Sequence, residues 1–311
     1  MSVSEDDYWY RLYFKLRLYE ADGLAFQHLV SDILHARHQD FQAVRPAGSL
    51  GDGGNDGYVP SEQHYFQVYG PSPGSHNTPA RLVGKAKADF VKLRASYPHM
   101  QGYSFVLNDH FRGVPRDVLD ALNDLQRSTG IPCDCVASRH LMDWFMALDA
   151  GQRQRVLQGV PVAAPEWIDP RAIADVLEHL ALRDAGHGDP SRRIAPDFDE
   201  KIRFNGLDGF AGHKLSSASY QVGSVDAFFA ARDAHLSQVV AKELRRLYTD
   251  ATQKVSDGEA DAPALRYLWI IERMLPPQVH NDVPVVLKAY RQAAEVVLAK
   301  YFEACDVYEK P

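Results

Sequence analysis

Positive charge is in short supply: 34 lysines and arginines stand against 41 aspartates and glutamates, a formal net charge of −7. That balance excludes nucleic-acid binding by bulk electrostatics, so any contact with a polyanion must be local or supplied by a partner. Cysteine is scarce and odd in number, three in all, which rules out a disulfide framework and suits a reducing compartment. Cys133 and Cys135 form a CxC pair with no second ligand pair nearby, too few N or S ligands for structural zinc. No stretch approaches the roughly 20 apolar residues that span a bilayer. Met1–Asp7 is acidic where a secretory leader is basic and then apolar, so the expectation is a soluble, cytoplasmic protein without membrane contact. Patterns of the GxSxG, HExxH and Walker A kinds are missing, which removes support for a hydrolase triad, a zincin or a self-contained ATPase. No repeat period or low-complexity tract stands out.

What the chain does have is apolar residues, 45% of 311, enough for about two cored domains at roughly 100–200 residues each. Residues 8–19 mix aromatics with arginines and a lysine in a spacing that fits either a strand or a helix. Helical spacing then runs over Asp22 to His35, with Phe26, Leu29, Val30, Ile33 and Leu34 on one face. Phe41 to Pro46 alternates like a strand. Later elements are a helix over Leu82 to Tyr97, a buried strand over Gly102 to Asn108, and a helix over Pro115 to Gln126. A short strand over Cys133 to Ala137 and an apolar helix over Leu141 to Leu148 follow. This order predicts an α/β domain over residues 1–150 with a mixed central sheet flanked by helices. Residues 151–196 read as a linker carrying one helix, Arg171 to Arg183. Residues 197–311 read as mainly α-helical, with long helices over Phe228 to Val255, Ala264 to Met274 and Val283 to Ala304.

The stretch that organises the first domain is Gly48-Ser49-Leu50-Gly51-Asp52-Gly53-Gly54-Asn55-Asp56-Gly57-Tyr58, followed by Tyr65-Phe66-Gln67-Val68-Tyr69. Glycines around two aspartates suit a tight turn that sets carboxylates at the edge of a hairpin. Alternation then puts Gln67 and Tyr69 on one strand face. Carboxylate and amide oxygens are the ligands a hard cation such as Mg²⁺ takes, with water and substrate phosphate completing the shell. The plainer reading is a hairpin loop whose Asp and Asn residues only turn the chain.

These residues resemble the core of Mrr-type restriction endonucleases of the PD-(D/E)XK superfamily, over roughly the first 150 residues, one domain's worth. That pattern is a glycine-rich turn ending in a metal-binding Asp, then a strand with Gln or Glu, any residue, and Lys. Asp56 and Gln67 match it, and Tyr69 stands where the lysine belongs. The resemblance implies a restriction-endonuclease-like fold, a Mg²⁺ (or Mn²⁺) cofactor and double-stranded DNA as substrate. It also implies metal ligands at Asp56, Gln67 and the Val68 carbonyl, with Asp52 a weaker second carboxylate. The family's helix Glu falls at Gln27 here, and Glu20, about two turns earlier, is the candidate stand-in; a plain solvent-exposed or capping carboxylate is the alternative. A neutral phenol at Tyr69 supplies no positive charge. Either a lysine reaches in from elsewhere, with Lys85, Lys87 and Lys92 on the next predicted helix as the candidates, or the site is weak or dead; the plainer reading of these lysines is a solvated or phosphate-facing stripe.

In the second half, Asp199 to Leu207 (with Lys201-Ile202-Arg203-Phe204-Asn205) and Tyr301-Phe302-Glu303-Ala304-Cys305-Asp306-Val307 resemble the C-terminal domains of ABC-three component systems. These are bacterial operons that pair such a protein with an ABC-type ATPase and a small middle component in conflict with phage and plasmids. The resemblance implies a partner-docking module over residues 197–311, and homo-oligomerisation stays open. Together the two resemblances imply a metal-dependent DNA endonuclease effector activated with an ATPase partner. The alternative is a catalytically degenerate nuclease-fold scaffold that binds partners or DNA without cutting.

Overall fold

The computed structural model describes residues 5–44, 55–71, 78–158, 169–183, 198–230, 234–259, 261–304 and 307–311. It divides into two compact units, Arg17–Val156 and a second made of Met1–Leu16 with Leu157–Pro311. The turn from Gly48 to Gly54, with Asp52, and the linker loop 184–196 lie outside the described residues.

The first unit is built on a five-stranded sheet in the order β1 (Gln42–Ala43), β2 (Gly57–Val59), β3 (His64–Tyr69), β4 (Gly102–Leu107) and β5 (Cys133–Val136). β1, β2 and β3 pair antiparallel, while β3, β4 and β5 pair parallel. Parallel neighbours need a crossover, and α3 (Pro79–Ser96) and α4 (Arg116–Thr129) supply the two required. Both pack on one face, over Tyr65, Tyr103, Phe105, Leu107 and Cys133. β4 is buried at every position because it is covered on both faces, which is why it reads as a continuous apolar run. On the other face, α2 (Gly23–Arg37) comes so close to the end of β3 that a Cβ at Gly70 would collide with Phe26. Then α5 (Ser138–Met146) and α6 (Ala150–Leu157) close the unit, α6 falling where the sequence suggested a linker.

Residues 8–19, which fitted either element, belong to one helix, α1 (Glu5–Glu20). Trp9, Tyr10, Leu12, Tyr13, Phe14, Leu16 and Leu18 are all buried. A helix covered on most sides carries no polar stripe, so its period is blurred in the sequence. Its end is clamped by the buried Asn108, whose side-chain amide donates to the Leu18 and Ala21 carbonyls at 2.8 and 2.9 Å.

The second unit is helical: α7 (Pro170–Leu182), α8 (Phe198–Phe204), α9 (Phe210–Ser219), α10 (Gly223–Ala230), α11 (Ala234–Lys254), α12 (Ala262–Met274) and α13 (Pro284–Glu303). The stretch read as one helix over Phe228 to Val255 is thus described as two. Into this unit α1 contributes Trp9, whose ring meets Tyr267 and Phe210. Tyr13 lies under the Arg291 guanidinium, and Lys15 pairs with Glu259 and Asp261. Charges inside the unit are paired, as burial demands. Arg291 bonds both Glu272 oxygens, and Glu243 takes Arg183 and Arg246. Lys214 stands 3.9 Å from Glu295.

The two stretches that resemble ABC-three component domains meet in space. The buried Lys201 ammonium donates to the Phe302 and Val307 carbonyls at 2.8 and 2.7 Å and lies over the Phe302 ring. Asn205 bonds the Glu309 backbone in both directions. A lysine thus caps the Phe302 carbonyl in the last turn of α13 and ties it to Val307 beyond the helix, a place where cations are favoured. Among the described residues, no helix is long and apolar enough to cross a membrane.

Two predictions follow from this packing. Trp9→Ala should cost the second unit about 3–5 kcal/mol, the usual penalty for emptying a buried Trp site, read as faster amide exchange along α12 and α13. Burial raises the Glu295 carboxyl to about 7, although the positive charges of Lys214 and Arg291 pull it down. A folded-state value above the unfolded one means the native state holds the proton longer. Stability should therefore fall as pH rises from about 4.5 to about 7 and level off above. Urea denaturation across that window tests it, and Glu295→Gln should flatten the slope.

Candidate functional site

Asp56 stands immediately before β2, where Asn55 turns the chain by accepting the Gly57 amide at 3.0 Å. Gly57 has no room for a side chain, since a Cβ there would strike the Phe41 ring. The backbone of Asp56 bridges its two neighbours, taking the Val44 amide and giving its own to Phe66. Its carboxylate then falls on β3: Oδ2 accepts the Val68 amide at 2.6 Å, and Oδ1 accepts Gln27 Nε2 at 3.0 Å. The carboxylate therefore sits on the Gln67–Val68 peptide, between the sheet and α2.

Gln67 shares its strand face with Tyr65 and Tyr69, and its neighbour across the parallel pair is Phe105. It is 4% exposed, and its Oε1 has no hydrogen-bond partner among the described residues. An unmet buried oxygen costs about 1–3 kcal/mol. The Asn55 Nδ2 nearby in sequence is unmet as well. Two residues past Gln67, the Tyr69 ring carries the Lys85 ammonium 5.3 Å from its centroid. Lys85 is held from below by Asp89, buried and 2.9 Å away on the same helix. Burial raises the Tyr103 phenol well above its ordinary range, and the charge of Asp89 adds to the rise.

The structure seats the Asp56 carboxylate on the Val68 amide, toward α2, while Gln67, Tyr69 and Lys85 stand on the strand face that α3 covers. What Val68 offers Asp56 is its amide, not its carbonyl. Lys87 is exposed and lies about 200° round α3 from Lys85, as two residues on a helix must; Lys92 is exposed too. Glu20 is the half-buried last residue of α1. Gln27 is the residue that sequence reasoning passed over in favour of Glu20. The signal was its position next to Phe26 on the buried face of α2, at the slot where the resembled family carries Glu.

Polar groups elsewhere in the unit have structural roles. The Asn108 carboxamide is consumed by the α1 clamp and by Ser138 and His110. Asp109 receives the Ser138 amide at the start of α5. His64 bonds Ser104 at 2.7 Å, and burial lowers its pKa. Burial pushes the Cys133 and Cys135 thiols up to about 11 and about 12, far from thiolate chemistry at neutral pH. Among the described residues, no group of three His, Cys, Asp or Glu side chains could hold a metal. Asp56 offers one carboxylate whose two oxygens accept the Val68 amide and the Gln27 side chain, and carboxylate oxygens are the kind of ligand a hard cation takes.

Residues 171–309 match the family model for C-terminal domain 10 of the ABC-three component (ABC-3C) systems. The helical region is therefore similar to a C-terminal domain of the ABC-three component systems. The match runs from α7 to the Asn205–Glu309 clasp and ends short of the sheet-bearing unit. No curated protein and no solved structure matches the chain.

The orphaned oxygen makes a stability prediction. Gln67→Met should be neutral or stabilise the cation-free protein by about 1 kcal/mol, because it removes an unmet polar group at similar volume. Gln27→Leu should destabilise it by about 1.5–3 kcal/mol, the range for a hydrogen bond to a charged group. Thermal unfolding of the two variants without divalent ions would show opposite signs or, at the least, a gap above 1 kcal/mol.

Proposed function

We propose that the sheet-bearing unit is a divalent-cation-dependent DNA endonuclease of the restriction-endonuclease-like kind. It acts as an effector of an ABC-three component defence complex, activated with an ABC-type ATPase and a small middle component. The observation that supports this reading is the seating of Asp56 on the Val68 amide, directly after the unmet Gln67, with a lysine over the Tyr69 ring two residues along β3.

In this reading Asp56 and Gln67 hold Mg²⁺ or Mn²⁺, with Asp52, Glu20 and the Val68 carbonyl as the further ligands proposed. The cation, when bound, supplies Lewis-acid activation of the phosphodiester and of the attacking water. Lys85 provides the positive charge that Tyr69 lacks, aimed at the charge that builds on the phosphoryl oxygens. Asp89 fixes the lysine's position, and the Tyr69 face carries its ammonium while the phenol can donate one hydrogen bond. Gln27 holds Asp56 in a fixed orientation from α2.

A second reading has its own observation. Both Asp56 oxygens already accept protein donors, as a carboxylate retained only to tie α2 and β2 to β3 would. The unit would then be a degenerate nuclease fold serving as scaffold or adaptor. The assay that separates the two uses the full chain with its operon partners, nucleotide, and Mg²⁺ or Mn²⁺ on plasmid and linear duplex. Endonuclease activity should vanish in Asp56→Ala and fall about 10²–10³-fold in Lys85→Met, the range for losing one preorganised transition-state donor. Intact DNA under all these conditions, with no Mn²⁺ bound in calorimetry, would leave the scaffold.

A further inference from the structure

Cations are distributed unevenly over the surface. On α4, both arginines turn onto acids of their own helix, Arg116 onto Asp120 and Arg127 onto Asp124. On α3 the sequence PARLVGKAKADFVKLRAS places five cations against the single acid Asp89, and that acid is spent on Lys85. The other four, Arg81, Lys87, Lys92 and Arg94, are exposed. Among the described residues none of the four has an ion pair or a side-chain hydrogen bond. In a chain of net charge −7, one helix thus keeps four unneutralised cations within fourteen residues.

Their spacing sorts them into two rows. Arg81, Lys85 and Lys92, at i, i+4 and i+11, fall along one side of the helix. Lys87 and Arg94, at i and i+7, fall along the other. Exposed Gly84, Ala88 and Val91 lie between the rows. The first row includes Lys85, the lysine over Tyr69 at the candidate site. It runs about 16 Å from Arg81 to Lys92 at 1.5 Å per residue, the axial length of roughly five phosphates of one duplex strand. A helix about 10–12 Å across, with a cation row on each flank, suits the two backbones that border a groove about 12 Å wide.

From this charge complementarity we infer that the outer face of α3 binds a nucleic-acid duplex. Phosphates of one strand lie along the Arg81–Lys85–Lys92 row, which leads that strand to the candidate site, and phosphates of the other meet Lys87 and Arg94. The inference rests on the nuclease reading for the destination of the strand and on α3 alone for the contact. Such contacts position the duplex without reading its sequence.

The test is fluorescence anisotropy of the full chain with a labelled 30-base-pair duplex, titrated across a salt series without Mg²⁺. Each phosphate-neutralising cation removed lowers the slope of log affinity against log salt by about one. The doubles Arg81→Gln/Lys92→Gln and Lys87→Gln/Arg94→Gln should each lower it by about two, and the fourfold variant by about four. All four positions are exposed, so the variants should keep their circular dichroism and unfolding temperature. Asp56→Ala should keep the wild-type slope. A fourfold variant with the wild-type slope, or a wild type that binds no duplex, overturns the inference. So does loss of co-precipitation with a partner protein while the slope stays put, which would assign the face to an acidic protein. A fall in slope for the first double alone would mean a single strand and overturns the duplex claim. The outcomes also separate the two proposals: Asp56-dependent cleavage with an unchanged fourfold slope spares the nuclease reading, whereas the expected slopes without cleavage spare the α3 contact.

Discussion

The hydrogen bond from the Val68 amide to the Asp56 carboxylate depends on the register in which β2 meets β3. β2 has only three residues, and its pairing sets Gly57 opposite Phe66. A slip by one residue would carry Asp56 to the other side of the strand pair. Two devices hold the register. Phe41 fills the space where a Cβ at position 57 would sit, and Asn55 locks the turn by taking the Gly57 amide. The central position of β3, paired on both sides, does the rest. Every candidate role at the site, from Gln67 through Tyr69 to Lys85, is measured from that one alignment.

Buried charge is matched in both units. In the helical unit, ionised groups are taken inside and matched: Arg291 with Glu272, Glu243 with two arginines, Lys201 with backbone carbonyls. Such pairs contribute little net stability but are costly to break, so they favour one packing over its competitors. In the sheet-bearing unit the buried Asp89 answers Lys85; the uncharged Gln67 Oε1 and Asn55 Nδ2 are unmet among the described residues, as are Trp9 Nε1 and the Tyr13 and Tyr267 hydroxyls of the helical unit.

Much of the architecture was legible in the residues. α2, α3 and α4 announced themselves by apolar positions three and four apart, and β4 by an unbroken apolar run, because in each case burial on a definite face writes a period into the sequence. Gln67 and Tyr69 were legible as sharing one strand face from the alternation, and Asp56 as the carboxylate that ends the turn. Lys85 could be named but not separated from Lys87, since only the rotation of α3 against the sheet distinguishes them. Gln27 was passed over because an amide offers a hydrogen bond where a carboxylate was expected. Lys201 gave no sign of a buried role, a lysine ordinarily reading as surface. α1 was ambiguous because it is buried nearly all round, with its partners more than two hundred positions away.

That distance bears on how the protein is made. Lys15 and its partner Asp261 are separated by 246 positions in the chain, and Trp9 waits for Phe210 and Tyr267. At about 5–20 residues per second, a ribosome would take roughly 12–50 s between the two. Throughout that interval a helix rich in tryptophan, tyrosine and phenylalanine is outside the tunnel without the surfaces it is shaped for. The sheet-bearing unit, meanwhile, is complete and free to fold. Nascent chains stalled before α12 should therefore be the sticky species, held by chaperones or cleared by proteases, and the earliest helix to emerge would be among the last to find its place.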